Sequence, residues 1–469
     1  MPVNEALRKL PSVEEVLQRP AVRELVARVG RAATKAAVRA AIAHARGELK
    51  SGRLNGHEPV PDALVAALAE KEASPRLRAV INATGVVLHT NLGRAPLHPE
   101  AVGRVVEIAS GYSNLELELS TGRRGHRSSH VEPLLCELFG AEAAHVVNNC
   151  AGATLLALAT LAQGKAAIVS RGELVEIGGG FRVPDVMAQS GCRLIEVGTT
   201  NRTRLADYAA ALAEHPGALL VRVHRSNFAL IGFTEMPEVR DLARLAHDAQ
   251  SVLLHDLGSG ALDEGLYEYT AAHSIRDGAD LVLISGDKML GGPQAGILLG
   301  RKDLVERCRT HPLSRALRVD RMMLAALEGT LRLYRDGRGS EIPTVAALLV
   351  SEQELRQRAT RLALELQQRG VEGKVVATEG KVGGGSQPLR VLPSSGVALP
   401  GDPRPILAEL RQGSPAVVAV VRDRQVTFDV RCVPDVALLA QVAASAVHRA
   451  RERAVEPESA TLEEEGTEG

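Results

Sequence analysis

Aromatic residues are scarce in this sequence: they make up 2% of its 469 residues, and tryptophan is absent. A core built without them must be aliphatic, and base stacking is disfavoured as the main mode of any nucleic-acid contact. Long apolar runs are also lacking, because the most apolar N-terminal stretch, Ala37–Ala45, is broken by Arg39 and His44. No run approaches the ~18 residues of a membrane span, so we expect a cytoplasmic protein without a signal segment.

Cysteine is sparse as well, with five residues and no pair at the spacing of a metal site, namely Cys136, Cys150, Cys192, Cys308 and Cys432. The sequence therefore predicts reduced thiols and no metal centre. The formal net charge is zero, with 45% hydrophobic and 24% charged residues, which is typical of a soluble globular protein. The length allows two to four domains.

Residues 1–60 are predicted to form a small helical domain that ends in a linker containing glycine and proline. Ser12 and Glu15 match a capping box at the start of a helix. A second helix is expected from Pro20 to Val29 and an alanine-rich third from Arg31 to Leu49. The segment up to Arg53 holds eleven basic and five acidic residues, so it should carry a positive charge.

Four of these basic residues, Arg28, Arg31, Lys35 and Arg39, recur at spacings of three and four. Such spacing places side chains on one helical face. The residues alone leave two interpretations open, a solvated surface and a phosphate-binding surface, and the solvated surface is the more frequent outcome.

The next segment, residues 61–325, alternates between short apolar strands and helices, the pattern of a buried, mainly parallel sheet with helices on both faces. The predicted strands are Ala144–Val147, Ala166–Val169, Leu194–Val197, Ala218–Val223, Val252–Leu254 and Leu281–Ile284. Residues 326–454 mix long helices with further strands and predict a small α+β domain. The acidic tail, 455–469, has six glutamates and no basic residue and is expected to be disordered.

The strongest chemical pattern ends at Lys288. The apolar strand Leu281–Ile284 delivers this lysine, and a glycine-rich turn follows it. A lysine buried at a strand end loses hydration, which makes its amine a better nucleophile and suits a Schiff base with pyridoxal phosphate (PLP). Ser285 is a candidate ligand of the cofactor phosphate through its hydroxyl. Taken alone, such a lysine is more often one that extends from a sheet edge to solvent.

A second segment favours the PLP site over that alternative. The strand that begins at Ser251 ends in the carboxylate Asp256, 32 residues before Lys288. PLP needs such a carboxylate to keep its pyridine nitrogen protonated, so that the ring can take up electrons. An ordinary strand-end aspartate is the competing interpretation.

A third segment, Asn148–Thr154, joins a strand to a helix through small residues. It exposes backbone N–H groups at a helix N-terminus, which suits a dianionic phosphate, and the expected ligands are Ala151, Gly152 and Ala153. The three segments in this order within one α/β domain predict a PLP enzyme of fold type I, the aspartate-aminotransferase-like fold. Arg94, Arg315 and Arg318 flank this core and would suit an anionic co-substrate, although surface ion pairing is as frequent a role for arginine.

With these residues in view, the sequence resembles the bacterial selenocysteine synthases, from Leu10 to about residue 450. The resemblance rests on long runs that include the chemical positions, Ile81–Arg94, Ser170–Gly178, Val223–Phe228, Ser285–Gln294 and His311–Asp320. It implies conversion of seryl-tRNA(Sec) to selenocysteyl-tRNA(Sec), by PLP-dependent elimination of the seryl hydroxyl and addition of selenium from selenophosphate. It also implies a homodecamer, a pentamer of dimers with active sites between subunits.

The resemblance further implies roles for individual residues. The basic N-terminal domain would bind tRNA, which favours the RNA-binding interpretation of Arg28, Arg31, Lys35 and Arg39. Lys288 would act as general base once its amine has left the cofactor, and Asp287 would orient Lys288 or the leaving hydroxyl. Selenophosphate would bind to Arg94, Arg315 and Arg318.

Two other classes of function remain open at this point. A small-molecule PLP lyase, related to the sugar-acid ammonia-lyases, would share the catalytic domain but not need the basic segment of residues 1–53. A tRNA-binding protein without catalysis would not need Lys288, Asp256 and Ser285 together.

Overall fold

The computed structural model describes residues 3–52, 59–177, 180–225, 227–263, 265–267 and 269–455. It divides into two compact units, residues 1–79 and residues 80–469. The first unit is helical, and its helices are α1 (Val3–Arg8), α2 (Val13–Leu17), α3 (Pro20–Val29), α4 (Arg31–Lys50) and α5 (Asp62–Ala73).

The predicted starts of these helices are confirmed. The Ser12 hydroxyl accepts a hydrogen bond from the Glu15 backbone N–H, and the Glu15 carboxylate accepts one from the Ser12 N–H, which completes the capping box before α2. Pro20 occupies the first position of α3. Gly30 separates α3 from α4 with φ of 94°, a left-handed conformation that favours glycine.

The boundary predicted after residue 60 differs from the structure, which extends the helical unit to residue 79. The reason is α5: Val65 and Ala69 are fully buried in one apolar cluster with Val16 and Val38. An isolated apolar helix does not reveal from its sequence which neighbour it will cover. Much of the predicted linker, residues 53–58, lies outside the described residues, as do residues 456–469 of the tail.

The strands of the second unit are β1 (Val80–Ala83), β2 (Val86–Leu88), β3 (Leu117–Glu118), β4 (Arg123–Arg124), β5 (Ala143–Val147), β6 (Ala166–Ser170), β7 (Glu176–Ile177), β8 (Phe181–Arg182), β9 (Arg193–Val197), β10 (Leu219–Val223), β11 (Leu253–Gly258), β12 (Leu281–Ser285), β13 (Gly296–Gly300), β14 (Lys374–Gly383), β15 (Ser386–Leu399), β16 (Ala416–Arg422) and β17 (Gln425–Asp429). Its α-helices are α6 (Pro99–Ala109), α7 (Glu132–Phe139), α8 (Cys150–Ala162), α9 (Val183–Gln189), α10 (Leu205–Glu214), α11 (Val239–Asp248), α12 (Ala271–Arg276), α13 (Lys302–Thr310), α14 (Pro312–Ala316), α15 (Arg321–Arg335), α16 (Pro343–Leu349), α17 (Glu352–Gln368), α18 (Pro403–Gln412) and α19 (Val436–Val455).

The central sheet has seven strands in the order β5-β13-β12-β11-β10-β6-β9. Its six predicted strands are confirmed and run in one direction, whereas β13 lies antiparallel between β5 and β12. Apolar side chains cover both faces: α8, α9 and α13 pack on one, and α7, α10, α11, α12 and α15 on the other. This is the predicted α/β architecture of PLP fold type I.

A hairpin joins β12 to β13 and contains Lys288. Ser285 pairs with Gly296 at its base, and the Gly286 N–H donates to the Ala295 carbonyl at 2.9 Å. Inside the hairpin the Gly292 N–H donates to the Gly286 carbonyl at 2.8 Å, so the loop backbone is bonded to itself.

A second sheet has six strands in the order β1-β16-β17-β15-β14-β2 and carries α17, α18 and α19. Two predicted boundaries therefore need correction. Residues 80–88, assigned to the large domain, supply β1 and β2 of this sheet. The boundary at 325/326 falls inside α15, whose Leu324, Leu327 and Leu331 pack in the core of the central sheet.

Candidate active site

Strand ends of the central sheet surround a cavity of about 290 Å³. The structure brings five of the predicted site residues to its wall, Arg94, Ala151, Asp256, Ser285 and Lys288. Ala151, Asp256, Ser285 and Lys288 lie at or near the carboxyl ends of β5, β11 and β12, where open α/β sheets bind their ligands. Arg94 comes from the segment between β2 and α6.

The Lys288 amine and the Asp256 carboxylate flank the backbone of Gly258. A methyl group on Gly258 would lie 3.4 Å from Lys288 Nζ and 3.9 Å from Asp256 Oδ1. The residue has φ of 70°, so both its conformation and its lack of a side chain keep the space between the amine and the carboxylate open.

Asp256 is held by two neighbours that were not assigned to the site. Thr154 Oγ1 donates to Asp256 Oδ2 at 2.9 Å, and Cys150 Sγ lies 3.9 Å from Asp256 Oδ1. Burial raises the pKa of the Asp256 carboxyl, while the hydrogen bond from Thr154 and the positive charge of Lys288 lower it. A further cation in the cavity would favour the carboxylate form, which is the form that a protonated pyridine nitrogen needs.

The loop that joins β5 to α8 differs in one respect from the prediction. Asn149 caps the helix, with its Oδ1 accepting from the Gly152 N–H at 2.7 Å. The Ala153 N–H donates to the Asn149 carbonyl, so the backbone donors of Gly152 and Ala153 are engaged within the chain. Ala151 lines the cavity and remains the best candidate of the three for a phosphate contact.

A chain of polar contacts leads from Ser285 to Arg94. Ser285 Oγ donates to Asp287 Oδ1 at 2.7 Å, and Arg94 Nη1 donates to Asp287 Oδ2 at 2.7 Å. Asp287 is therefore placed between two cavity residues and directly before Lys288 in the chain. Among the described residues, the buried Arg94 Nε has no hydrogen-bond partner. Arg94 also has φ of 60°, a conformation unusual for a residue other than glycine.

His224, directly after β10, lines the same cavity. It lies in the run Val223–Phe228 that carries the family resemblance, but the sequence assigned it no role. Its Nε2 lies 2.6 Å from the Tyr267 hydroxyl. Burial, together with the positive charges of Arg222 and Lys288, lowers the pKa of His224 to about 4, so the imidazole is neutral near pH 7. A neutral imidazole bonded to a phenol is a fixed polar group in the cavity wall.

Arg315 and Arg318 are not brought to this cavity within the chain. Both are exposed, and Arg318 Nη1 lies 3.4 Å from Glu116 Oε1. Their segment nevertheless adjoins the β5–α8 loop, because the Asn148 N–H donates to the Leu317 carbonyl at 2.9 Å.

The predicted basic face of the helical unit needs a correction. Arg28 lies on α3, before the break at Gly30, and pairs with Glu70 at 2.5 Å. Arg31, Lys35 and Arg39 lie on α4 and are exposed. Arg46 and Lys50 are exposed on the same helix, at positions that continue this basic stripe.

The functional groups in the cavity wall fit PLP. It offers one amine for a covalent bond, one buried carboxylate for a pyridine nitrogen and one helix N-terminus for a phosphate. Its volume is near the lower end of ligand-binding pockets, which begin at about 300 Å³.

The role of Asp256 can be tested by an isosteric change. We expect Asp256→Asn to retain PLP, since Lys288 and the α8 N-terminus are unchanged, but to lose about 10²–10³ in kcat, the scale of one preorganised electrostatic partner. Steady-state kinetics alongside cofactor absorbance measures both quantities. Asp241→Asn, on the exposed face of α11, is the control. Near-normal activity of Asp256→Asn would rule out Asp256 as the pyridine partner.

Two family models match the chain. The model described as L-seryl-tRNA selenium transferase covers residues 80–434, and that described as selenocysteine synthase N terminal covers residues 7–46. The two matches fall on the two structural units.

Curated relatives carry the same description. The chain is 44% identical to the L-seryl-tRNA(Sec) selenium transferase of Hyphomonas neptunium and 46% identical to that of Geobacter sulfurreducens. These alignments cover 92% and 91% of this chain and 96% of each relative. The corresponding protein of Geotalea daltonii is 54% identical over 69% of this chain and 72% of its own length.

Among solved structures, D-glucosaminate-6-phosphate ammonia-lyase matches with a TM-score of 0.57 and 20% identity, over 81% of this chain and 97% of that one. At this identity the match supports the fold alone. Within the described residues, none of the helices is both long and apolar enough to span a bilayer.

Proposed function

The chain belongs to the L-seryl-tRNA selenium transferase family, and from this premise we propose that it converts seryl-tRNA(Sec) to selenocysteyl-tRNA(Sec), with selenophosphate as the selenium donor. The observation that carries the proposal is the identity of 44% to 46% over nine tenths of two relatives of that name. The ammonia-lyase is far less similar, which disfavours the small-molecule lyase alternative. Lys288 and Asp256 line the same cavity, which disfavours a protein without catalysis.

PLP, the cofactor of this enzyme, supplies an electron sink that weakens the Cα–H bond of the seryl group. Lys288 would hold the cofactor, and its amine would take up the Cα proton and later return one. Asp256 would keep the pyridine nitrogen protonated, with Thr154 orienting the carboxylate. Asp287 lies beside Lys288 and bonds Ser285, which suits it to orient the amine or the leaving hydroxyl.

Selenophosphate is proposed to bind through Arg94, Arg315 and Arg318. Arg94 supports this, because its buried Nε is available to an oxyanion. The exposure of Arg315 and Arg318 suits a site completed between subunits of a homodecamer. We further propose a cytoplasmic location and tRNA binding by the helical unit, through Arg31, Lys35 and Arg39 on α4 and Arg28 on α3.

A direct assay tests the function. Purified protein with PLP is incubated with seryl-tRNA(Sec) and selenophosphate, and the amino acid released from the tRNA is identified by mass spectrometry. We expect selenocysteine, and serine alone when selenophosphate is omitted. Ammonia release from an amino-sugar acid, with no change of the seryl ester, would instead support the lyase. Light scattering tests the decamer, which should have ten times the chain mass of 49.7 kDa.

A further inference from the structure

A second and larger cavity, of about 790 Å³, adjoins the cofactor cavity. The two share Val223, His224 and Leu257 in their walls. The large cavity is bounded by the segment that follows β10 and by the first residues of β15, so both sheets of the second unit contribute to it.

Three arginines line this cavity, Arg222, Arg225 and Arg390. Two have partners within the chain: Arg222 Nη1 lies 2.8 Å from the buried Glu173, and Arg390 Nη1 donates to the Leu266 carbonyl at 2.7 Å. The side chain of Arg225 is half-buried and lies within the electrostatic reach of Glu173, but its Nη1 is buried and has no hydrogen-bond partner among the described residues. A buried guanidinium nitrogen without such a partner is costly, and an anionic ligand would supply one.

The rest of the wall combines polar side chains, among them the carboxylates of Glu173 and Glu238, with aromatic and aliphatic ones. It includes Phe228, Tyr267 and Tyr269, in a chain with only five phenylalanines and five tyrosines. An arginine that can bind an anion, beside aromatic side chains, suits a ligand with both a phosphate and a flat, uncharged ring.

We infer that this cavity binds the 3′-terminal adenosine of the aminoacyl-tRNA, with its 5′ phosphodiester paired to Arg225. The inference rests on the proposed function. The seryl group is esterified to the ribose of that nucleoside, so a seryl group at Lys288 places the adenosine in the adjoining space. A free oxyanion such as selenophosphate would account for Arg225, but it would leave most of the 790 Å³ and the aromatic wall without a partner.

The test is a thermodynamic cycle between the protein and the tRNA end. Affinities of the full-length enzyme are measured for tRNA(Sec) with its complete 3′ end and for tRNA(Sec) that lacks the terminal adenosine. For the wild type we expect the shortened tRNA to bind about tenfold more weakly, the effect of one charged hydrogen-bonded contact. Arg225→Gln should bind both tRNAs with that weaker affinity and no longer distinguish them.

Two further variants keep the result interpretable. Arg225→Lys retains the charge and should recover part of the discrimination, because a single ammonium replaces the guanidinium fork. Arg244→Gln removes an exposed arginine of α11 and should behave as the wild type. The thermal stability of Arg225→Gln is expected to change little, since the buried Nη1 that is lost makes no hydrogen bond among the described residues.

The outcomes separate this inference from the proposed function. Equal affinity of the wild type for the two tRNAs contradicts the adenosine site and leaves the transferase function standing. A raised KM for selenophosphate in Arg225→Gln, with discrimination between the tRNAs intact, would assign the cavity to the free oxyanion and overturn the inference. If the protein binds neither tRNA, the proposed function itself fails, and the inference fails with it.

Discussion

Lys288→Ala is expected to abolish selenocysteyl-tRNA formation, lowering the rate by about 10⁴ or more, the scale that follows removal of a nucleophilic residue. The lysine supplies both the covalent attachment of the cofactor and the amine that moves the Cα proton. No other lysine lines the cavity among the described residues, so no neighbouring amine can take over. Single-turnover transfer of selenium to seryl-tRNA(Sec) measures the loss.

The fold should survive this change, because the hairpin backbone is held by its own hydrogen bonds rather than by the lysine side chain. Lys302→Ala removes an exposed lysine at the start of α13; it is the matched control and should keep full activity. Borohydride reduction of the wild type should attach the cofactor to the peptide that contains Lys288. Attachment to another peptide would overturn the assignment.

Removal of residues 1–79 is expected to weaken binding of seryl-tRNA(Sec) by about two orders of magnitude, while PLP binding persists. Loss of about four phosphate contacts should also lower the slope of log affinity against log salt by roughly 3, because fewer counterions are released. Removing residues 1–60 alone is a poorer test, since it would expose Val65 and Ala69 of α5. Affinity measured at several salt concentrations checks both expectations.

A charge-matched pair of variants refines this prediction. Replacing Arg31, Lys35 and Arg39 with alanine removes three charges from the exposed face of α4 and should reproduce part of the loss. Replacing Lys9, Arg23 and Lys71 removes the same charge from other surfaces of the unit and should have little effect. Equal effects of the two triple variants would show that net charge, not this face, holds the tRNA. Full affinity of the truncated enzyme would refute a tRNA role for the unit.

The sequence predicted the features that are set locally. The capping box of Ser12 and Glu15, the strand that carries Asp256 and the turn that carries Lys288 each depend on a few neighbouring residues, and the structure contains them all, although the strand continues past Asp256 to Gly258. The cavity position of Ala151 follows from the same logic, since a strand must end and a helix begin there.

Other features depend on partners far along the chain. The sequence does not predict β15, because this strand contains Pro393 and Gly396, which are unusual inside strands. It nevertheless pairs with both β14 and β17. β13 is not predicted from the sequence either, and the pairing of residues 80–88 with β14 and β16 leaves no local signal. The position of His224 in the cavity wall also depends on a distant contact, because its partner Tyr267 is 43 residues away along the chain.

The antiparallel hairpin around Lys288 restricts how the lysine amine can move. Most loops at this edge of an α/β sheet lead from a strand to a helix and are free to move at one end, but this loop is bonded to the sheet at both ends. The backbone that carries the lysine therefore has little freedom, and the amine can change position only by rotating its own side chain. Rotations of exposed side chains take picoseconds to nanoseconds, whereas loop motions take up to microseconds. Because the freed amine would move by side-chain rotation alone, its repositioning should not require the slower opening of the loop.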